Sequence, residues 1–296
     1  MADDPAQMAT GAPAAARLNV AADGPVGVLD SGVGGLSVLR HLRLELPAER
    51  FLYFADQAHI PYGPRPAEEV LAFTAAITRF MLARGAKLIV VACNTATTAA
   101  LDSLRQQFPD VPFVGMEPAV KPAAAQTRSG VVGVLATPGT LSSHRYASLM
   151  ARFAADVRVY EDPCVGLVPL IEAGALATDE TRDLLRRVVA PMLAAGADTL
   201  VLGCTHYPFV RPLLDEIAGR GVTIIDPAPA VARQTRNVLQ QRGRLAPVTQ
   251  TGALRCYTTG DARRMAALLA QLLGVRCRVR AARWYNNEVI ADSARP

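Results

Sequence analysis

Two cysteines occupy matching places in two similar stretches of the chain. Cys93 follows the apolar run LIVVA at residues 88–92, and Cys204 follows TLVLG at residues 199–203. Short apolar runs bounded by turn residues are typical of buried strands. We therefore expect each thiol to lie at the carboxyl end of a buried strand, where a helix begins. A helix amino terminus favours anions, so we also expect each thiol pKa to fall from about 8.5 toward neutrality.

Two opposed thiols suit the inversion of a carbon atom that carries a hydrogen. One thiolate removes the proton from one face of the carbon, and the other thiol delivers a proton to the opposite face. The two groups exchange roles with the direction of the reaction. The other cysteines, Cys164, Cys256 and Cys277, are expected to be free structural thiols, because five widely spaced cysteines are not a disulfide framework.

Polar residues follow the same predicted strand ends and are candidates for binding a substrate with carboxylate groups. They are Asp30, Ser31, Asn94, Thr95, Thr137, Thr140, Thr205 and His206. Hydroxyls and backbone N–H groups at helix starts hold carboxylates well. Asp30 either accepts an ammonium group or orients a neighbouring base, unless Asp30 and Ser31 only cap a helix. His206 either tunes the Cys204 thiol or protonates a carboxylate.

No metal or organic cofactor is expected. The four histidines and five cysteines form no cluster with the spacing of a metal site. A pyridoxal phosphate mechanism needs a Schiff-base lysine. The chain has only two lysines, Lys87 and Lys121. Lys87 precedes a predicted strand, at the end of the sheet away from the site, and Lys121 lies in a proline-rich segment, so neither is well placed.

Apolar runs alternate with amphipathic stretches along most of the chain. Predicted strands lie at residues 25–30, 51–55, 88–92, 111–115 and 131–135, and predicted helices at 36–46, 66–84 and 95–108. This alternation indicates an α/β fold with parallel sheets, whose ligands bind beyond the carboxyl ends of the strands. Residues 27–31 resemble 133–137 at an offset of 106, close to the 111 that separates the two cysteines. We therefore predict two similar parallel-sheet α/β domains that face each other across an interdomain cleft.

The repeats and the proline-rich segments between them divide the chain into a tail and two domains. Residues 1–23 are expected to be a disordered tail. Residues 24–117 together with 227–296 are expected to form the first domain, and residues 118–226 the second. The first domain carries Asp30 and Cys93, and the second carries Thr137 and Cys204.

Composition predicts a globular protein without a membrane span. Of the 296 residues, 51% are hydrophobic and 19% charged, and no run of 18 apolar residues occurs. The amino terminus lacks a positive region followed by an apolar one, so we expect no secretory signal and a cytoplasmic location. The net charge is +5, with twelve arginines against two aspartates between Arg220 and Arg283. For this segment we favour a solvated basic surface over nucleic-acid binding.

Several segments resemble the glutamate racemases of the cofactor-independent aspartate/glutamate racemase family. The most specific are CNTA at residues 93–96 and GCTHYP at residues 203–208. DSGVGGL at residues 30–36 and PYG at residues 61–63 point to glutamate rather than aspartate within that family. The resemblance runs from about residue 26 to residue 273 and leaves residues 274–296 without an assigned role.

The resemblance implies a site between two α/β domains. Cys93 would exchange a proton on one face of the glutamate α-carbon and Cys204 on the other, with assistance from Asp30, His206 and the acidic Glu172. The implied substrate-binding residues are Asp30, Ser31, Pro61, Tyr62, Gly63, Asn94, Thr95, Thr137, Thr140, Thr205 and His206. The substrates would be L- and D-glutamate, with D-glutamate passing to bacterial peptidoglycan. Family members are often homodimers, and some bind DNA gyrase.

Departures from the family pattern and alternative functions remain open at this point. Gln57 replaces the usual threonine, His59 an arginine or asparagine, and Ser37 a threonine. The first alternative is a racemase for aspartate or a related amino acid. A single-thiol decarboxylase fits less well, because both cysteines are present. An alternative of another class is a non-catalytic protein that binds a small ligand between two lobes.

Overall fold

A computed structural model describes residues 23–292. Within this range the strands are β1 (Val26–Asp30), β2 (Phe51–Ala55), β3 (Leu88–Val91), β4 (Phe113–Gly115), β5 (Val131–Ala136), β6 (Arg158–Asp162), β7 (Thr199–Gly203), β8 (Thr223–Ile225), β9 (Leu254–Thr258), β10 (Val279–Tyr285) and β11 (Glu288–Ala291). The helices are α1 (Leu36–Glu45), α2 (Ala67–Leu82), α3 (Asn94–Gln107), α4 (Val120–Gln126), α5 (Pro138–Leu141), α6 (His144–Phe153), α7 (Leu167–Glu172), α8 (Asp179–Ala194), α9 (Arg211–Ala218), α10 (Ala228–Gln241) and α11 (Ala262–Leu273). A 3₁₀ turn spans Tyr207–Val210. Residues 1–22 of the predicted tail lie outside the described range.

The strands form two sheets. One has seven strands in the order β11-β10-β9-β2-β1-β3-β4, and the other has four in the order β6-β5-β7-β8. Every pairing is parallel except that of β10 with β11. We call the part built on β1–β4 and β9–β11 the large-sheet unit, and the part built on β5–β8 the small-sheet unit. The predicted architecture of two parallel-sheet α/β units is confirmed, while the predicted domain boundaries stay a prediction.

The two sheets repeat one strand order. The order β2-β1-β3-β4 in the large sheet corresponds to β6-β5-β7-β8 in the small sheet. In this correspondence β1 matches β5, and β3 matches β7, as the sequence offsets predict. Cys93 follows β3 and Cys204 follows β7, so the two thiols lie at equivalent strand ends.

The chain returns to the large-sheet unit after the small one. Strand β9 pairs in parallel with β2, with Leu254 opposite Phe51. Helix α11 follows, and its first turn is capped by the Asp261 carboxylate, which accepts a hydrogen bond of 2.8 Å from the Arg264 N–H. It ends at Leu273 and is followed by Gly274, whose φ of 68° lies in the left-handed region that favours glycine. No helix within residues 23–292 is long and apolar enough to cross a bilayer.

Several arginines of the arginine-rich segment form ion pairs or hydrogen bonds with other residues of the chain. Arg236 pairs with Glu45 at 3.0 Å, and Arg283 with Asp292 at 3.4 Å. Arg264 donates to the Glu172 carbonyl at 3.1 Å, and Arg280 to the Tyr257 hydroxyl at 3.1 Å. These contacts agree with a structural use of the positive charge. Binding of nucleic acid stays untested.

A buried ion pair closes the sheet end opposite the strand ends that carry the cysteines. Lys87 precedes β3, and its Nζ lies 2.8 Å from Glu49 Oε2 and 2.6 Å from the Arg244 carbonyl. Glu49 Oε1 also accepts a hydrogen bond of 2.7 Å from the Ala246 N–H. Both side chains are almost fully buried. The pair therefore ties the chain after α10 to the base of β2 and β3.

We predict that Lys87→Met or Glu49→Leu alone lowers the free energy of unfolding by about 3–5 kcal/mol, because each removes one member of a buried ion pair and keeps the other buried. The double change should cost less than either single change, since it removes both members of the pair together. Urea unfolding followed by circular dichroism measures all three variants. A double variant that loses the sum of the two single losses would contradict this explanation.

Candidate active site

Strand ends from both units surround one small cavity. Its volume is about 20 Å³. It is lined by Ser31, Pro61, Tyr62, Gly63, Cys93, Asn94, Thr95, Thr137, Val168, Cys204, Thr205 and His206. Eleven of these twelve residues were candidate site residues from sequence. Of the remaining candidates, Asp30, Thr140 and Glu172 lie behind the cavity wall.

Cys93 is the amino-terminal cap of α3, as its position after β3 predicts. Its Sγ accepts a hydrogen bond of 3.5 Å from the Ala96 N–H and donates one of 3.9 Å to Ser31 Oγ. The expected fall of its pKa is nevertheless wrong. Burial, together with the negative charge of Asp30, raises the pKa of Cys93 to about 12, and the hydrogen bonds from Ala96 and with Ser31 offset only part of that rise.

Cys204 has a different local structure. Its strand β7 leads into a 3₁₀ turn, and α9 begins only at Arg211, so the expected helix start at this thiol is wrong. The partner of Cys204 is instead a side chain, because His206 Nδ1 lies 3.7 Å from its Sγ. The second ring nitrogen, Nε2, lies 2.7 Å from Glu172 Oε1. Thiol, imidazole and carboxylate therefore form a continuous chain.

The charges in this chain stabilise one another. Burial lowers the pKa of His206, but its hydrogen bonds to Cys204 and Glu172 outweigh burial and raise that pKa well above its usual value. Burial raises the pKa of Glu172, but hydrogen bonds from His206, the Val33 N–H and Gln57 lower it below its usual value. Both shifts favour an imidazolium paired with a carboxylate. His206 can thus hold or return a proton beside the Cys204 sulfur.

Glu172 also joins the two units. The Val33 N–H donates to its Oε1 at 2.7 Å, and Gln57 Nε2 donates to its Oε2 at 3.0 Å. Both donors belong to the large-sheet unit, whereas Glu172 belongs to the small-sheet unit. Glycine at position 32 makes this approach possible, because a Cβ there would lie 2.0 Å from Glu172 Oε1. Likewise, a Cβ on Gly34 would lie 2.4 Å from His206 Nδ1.

Asp30 is fully buried between the same elements. Its carboxylate accepts hydrogen bonds from the Gly32 N–H at 2.9 Å and from Thr205 Oγ1 at 3.0 Å. Burial raises its pKa, although the charge of His206 and these hydrogen bonds oppose the rise. Asp30 does not cap α1, whose amino-terminal cap is Gly35 with no side-chain hydrogen bond. The alternative that Asp30 only caps a helix is therefore wrong.

Threonine hydroxyl groups from both units meet at the cavity wall. Thr95 Oγ1 and Thr137 Oγ1 lie 2.8 Å apart, and Thr137 and Thr140 Oγ1 atoms lie 3.1 Å apart. The Gly139 N–H also donates to the Gly63 carbonyl at 2.9 Å. Thr95 and Gly63 come from the large-sheet unit, and the other three residues from the small-sheet unit. Thr140 thus supports Thr137 from behind.

Asn94 offers unused hydrogen-bonding capacity to the cavity. Its side-chain oxygen and nitrogen are both buried, and neither has a hydrogen-bond partner among residues 23–292. Buried polar groups are nearly always paired, so such a side chain points to a ligand. The amide supplies a donor and an acceptor, which suits a carboxylate or an ammonium group. Within the described residues, no cluster of histidine, cysteine and acidic groups could hold a metal ion.

Two residues of this site were not identified from sequence. Val168, in α7, forms an apolar part of the cavity wall, but its local sequence does not distinguish it from a core valine. Gln57 was noted only as a departure from the family pattern. Its contact with Glu172 depends on the meeting of the two units, which no local pattern encodes.

Comparison with known proteins identifies close relatives. The model of the Asp/Glu/Hydantoin racemase family matches residues 26–235. The glutamate racemase of Ectopseudomonas mendocina (strain ymp) is 57% identical over 256 residues, which are 86% of this chain and 97% of that protein. A glutamate racemase isoform from Bacillus anthracis has a similar crystal structure, with a TM-score of 0.79, 32% identity, and coverage of 90% of this chain and 98% of that one. The Escherichia coli glutamate racemase, solved with L-glutamate and the activator UDP-MurNAc-ala, gives a TM-score of 0.77 and 34% identity, covering 87% of this chain and 97% of that one.

We predict that iodoacetamide at pH 7.5 modifies Cys277 at least about 100-fold faster than Cys93, because the thiolate is the reactive form. A hydrogen bond with Cys256 lowers the pKa of the half-buried Cys277 to about 7, whereas that of Cys93 is about 12. Mass spectrometry of tryptic peptides measures each rate, with urea-unfolded protein as the control in which the difference disappears. Equal rates in the folded protein would contradict these environments.

Proposed function

The chain belongs to the Asp/Glu/Hydantoin racemase family and is an isomerase, and we propose that it interconverts L- and D-glutamate by moving the α-proton between Cys93 and Cys204. The observation that carries this proposal is the lining of one cavity by both thiols, one from each unit. The names of the relatives at 55–57% identity support glutamate as the substrate. The alternative of a non-catalytic binding protein is set aside because this chain is an isomerase.

In the proposed reaction one thiolate breaks the Cα–H bond and becomes a thiol. The opposite thiol gives its proton to the other face of the carbon and becomes a thiolate. The substrate is inverted, and the enzyme is left with the reverse protonation of its two cysteines. Each enantiomer therefore starts from a different cysteine, and no net proton is gained or lost.

The two sides of the cavity would assist this transfer differently. Beside Cys93, burial and the Asp30 charge raise the thiol pKa, so the thiolate is a stronger base toward the weakly acidic α-hydrogen. Beside Cys204, the imidazolium of His206 faces the sulfur and is held by Glu172. That imidazolium would stabilise the thiolate left after Cys204 donates its proton.

Substrate binding would use the polar groups around the thiols. The Asn94 amide has both polar atoms free for a ligand among residues 23–292. The hydroxyls of Thr95, Thr137 and Thr205 are further candidates to hold the two carboxylates. Donors to the α-carboxylate would also stabilise the negative charge that develops when the α-proton leaves.

The cavity must open for substrate to reach it. Its volume of about 20 Å³ is far below the roughly 300–1,000 Å³ of ordinary ligand sites. The units meet through polar contacts, including Thr95 with Thr137 and Glu172 with Gln57, and through one apolar core cluster to which both units contribute. Separation of the units would break these contacts and expose both thiols together.

Four wider properties of the protein also remain proposals. D-glutamate produced by this chain would supply bacterial peptidoglycan, which agrees with the bacterial sources of the relatives. A homodimer and a cytoplasmic location are the states implied by the family resemblance. Contact with nucleic acid or DNA gyrase has only the arginine-rich segment in its favour.

We predict that Cys93→Ala and Cys204→Ala each abolish racemisation, since removal of either thiol stops proton transfer at one face. The assay follows circular dichroism from pure L-glutamate and pure D-glutamate, without pyridoxal phosphate, and with aspartate in parallel. Cys277→Ala, outside the cavity, is the matched control and should keep wild-type activity. Full activity in either cavity variant would refute the two-thiol mechanism, whereas activity with aspartate alone would change only the substrate.

We predict that Asn94→Ala raises the KM for glutamate by roughly 10- to 100-fold, because hydrogen bonds to charged groups contribute about 1.5–3 kcal/mol. Thr98→Ala, on the same helix, is the control, since its hydroxyl bonds the Thr95 carbonyl within the helix. Initial rates at several glutamate concentrations measure both variants. An unchanged KM in Asn94→Ala would show that the amide does not bind substrate.

A further inference from the structure

The carboxyl-terminal hairpin, β10 and β11, lies in the segment to which the sequence assigns no role. Strand β10 extends the edge of the large sheet by pairing in parallel with β9, up to Ala281 opposite Thr258. The hairpin turn is formed by Asn286 and Asn287, whose φ angles of 48° and 61° fit a tight turn between antiparallel strands. Trp284 lies beyond the last residue paired with β9. Its side chain therefore reaches across the carboxyl ends of the strands.

Trp284 donates a hydrogen bond from its indole Nε1 to Asp56 Oδ1 at 2.8 Å. Asp56 directly follows β2 and is fully buried. The same oxygen accepts from Thr259 Oγ1 at 2.8 Å. The other oxygen accepts from the Tyr62 hydroxyl at 2.7 Å and lies 2.9 Å from His59 Nδ1. A buried carboxylate needs such donors, and here they fix both of its oxygens.

The indole ring also packs on the side chains around Asp56. His59 stacks on Phe73 with ring centroids 3.9 Å apart. The Trp284 ring meets both edge-on, at 4.9 Å from His59 and 5.4 Å from Phe73. Edge-to-face pairs of this kind favour one relative orientation of the rings. Trp284 thus helps to hold the His59 ring with its Nδ1 toward Asp56.

The segment between Asp56 and Gly63 carries this restraint to the cavity. Pro61, Tyr62 and Gly63 line the cavity wall. The Tyr62 side chain is 2% exposed, and its hydroxyl is held by Asp56. The chain of contacts therefore runs from the hairpin through one carboxylate to the wall of the candidate active site.

We propose that Trp284 is a positioning residue for substrate binding, acting through Asp56 on Tyr62. This inference rests on the proposed function, because it assigns the cavity to glutamate. Trp284 touches neither thiol, so its contribution is to the shape of the binding wall and not to proton transfer. Its loss should therefore change KM and leave kcat nearly unchanged.

Trp284→Phe keeps an aromatic ring but removes the N–H donor to Asp56 together with one of the two fused rings of the indole. We expect the KM for glutamate to rise on the order of tenfold, with kcat within about twofold of wild type. Tyr285→Phe is the matched control, because Tyr285 is the next residue of β10 and is 63% exposed. A Trp284→Phe enzyme with an unchanged KM, or with kcat and KM altered to the same extent as in Tyr285→Phe, would overturn the proposal.

Tyr62→Phe provides the test of the pathway. It removes the hydroxyl that Asp56 holds, so the effects of Tyr62→Phe and Trp284→Phe on KM should not multiply if Trp284 acts through Asp56 and Tyr62. A double variant whose KM change is the product of the two single changes would contradict this pathway.

Trp284 is the only tryptophan of the chain, so its fluorescence reports this contact without any turnover. Tyr62→Phe should shift the emission of Trp284, because the shared carboxylate loses one of its donors. Tyr160→Phe, remote from the hairpin on β6 and part-exposed, is the control and should leave it unchanged. A wild-type protein that racemises no glutamate would contradict only the proposed function. The emission test would still decide whether Trp284 and Tyr62 are linked through Asp56. Identical emission spectra for wild type and Tyr62→Phe would overturn the link between Trp284 and Tyr62, whether or not the protein racemises glutamate.

Discussion

The candidate site depends on the contacts of the Glu172 carboxylate, which is largely buried. A buried carboxylate is stable only with donors around it, and Glu172 obtains them from both units. His206 belongs to its own unit, while the Val33 N–H and Gln57 belong to the other. The orientation of His206 toward Cys204 is therefore complete only when the two units meet. Glycine at position 32 is required because any side chain would occupy the space of the carboxylate.

Two repeated units have produced two thiols with different surroundings. Cys93 caps a helix and lies near the charge of Asp30, whereas Cys204 precedes a 3₁₀ turn and faces an imidazole held by Glu172. Equivalent strand ends thus supply opposite faces of one cavity, but different neighbouring groups influence the protonation of each thiol. This division fits a reaction in which either thiol acts as base for one enantiomer and as acid for the other.

The sequence predicted the parts of this arrangement that follow from strand order. Apolar runs located β1, β2, β3 and β5 closely, and the two offsets correctly indicated a repeated sheet. The carboxyl ends of parallel strands lie at one edge, so Cys93, Cys204 and most of their polar neighbours could be expected around one cavity.

The sequence could not give the properties that depend on burial and on contacts between the units. The helix start after β3 predicted a lowered pKa for Cys93, but the depth of burial reversed the direction. Asp30 resembled a helix cap, although its carboxylate accepts from Thr205 of the other unit. Gln57 and Trp284 reach their partners across distant parts of the chain, and local patterns carry no information on such contacts.

The central claim is that two separate bases work on opposite faces of one carbon atom. Its most direct test is the isotopic content of product and substrate during the first few per cent of conversion of L-glutamate in heavy water. Two thiols predict D-glutamate that carries deuterium at the α-carbon, while the recovered L-glutamate keeps its hydrogen. D-glutamate that retains the original α-hydrogen would instead require a single base serving both faces and would contradict the account.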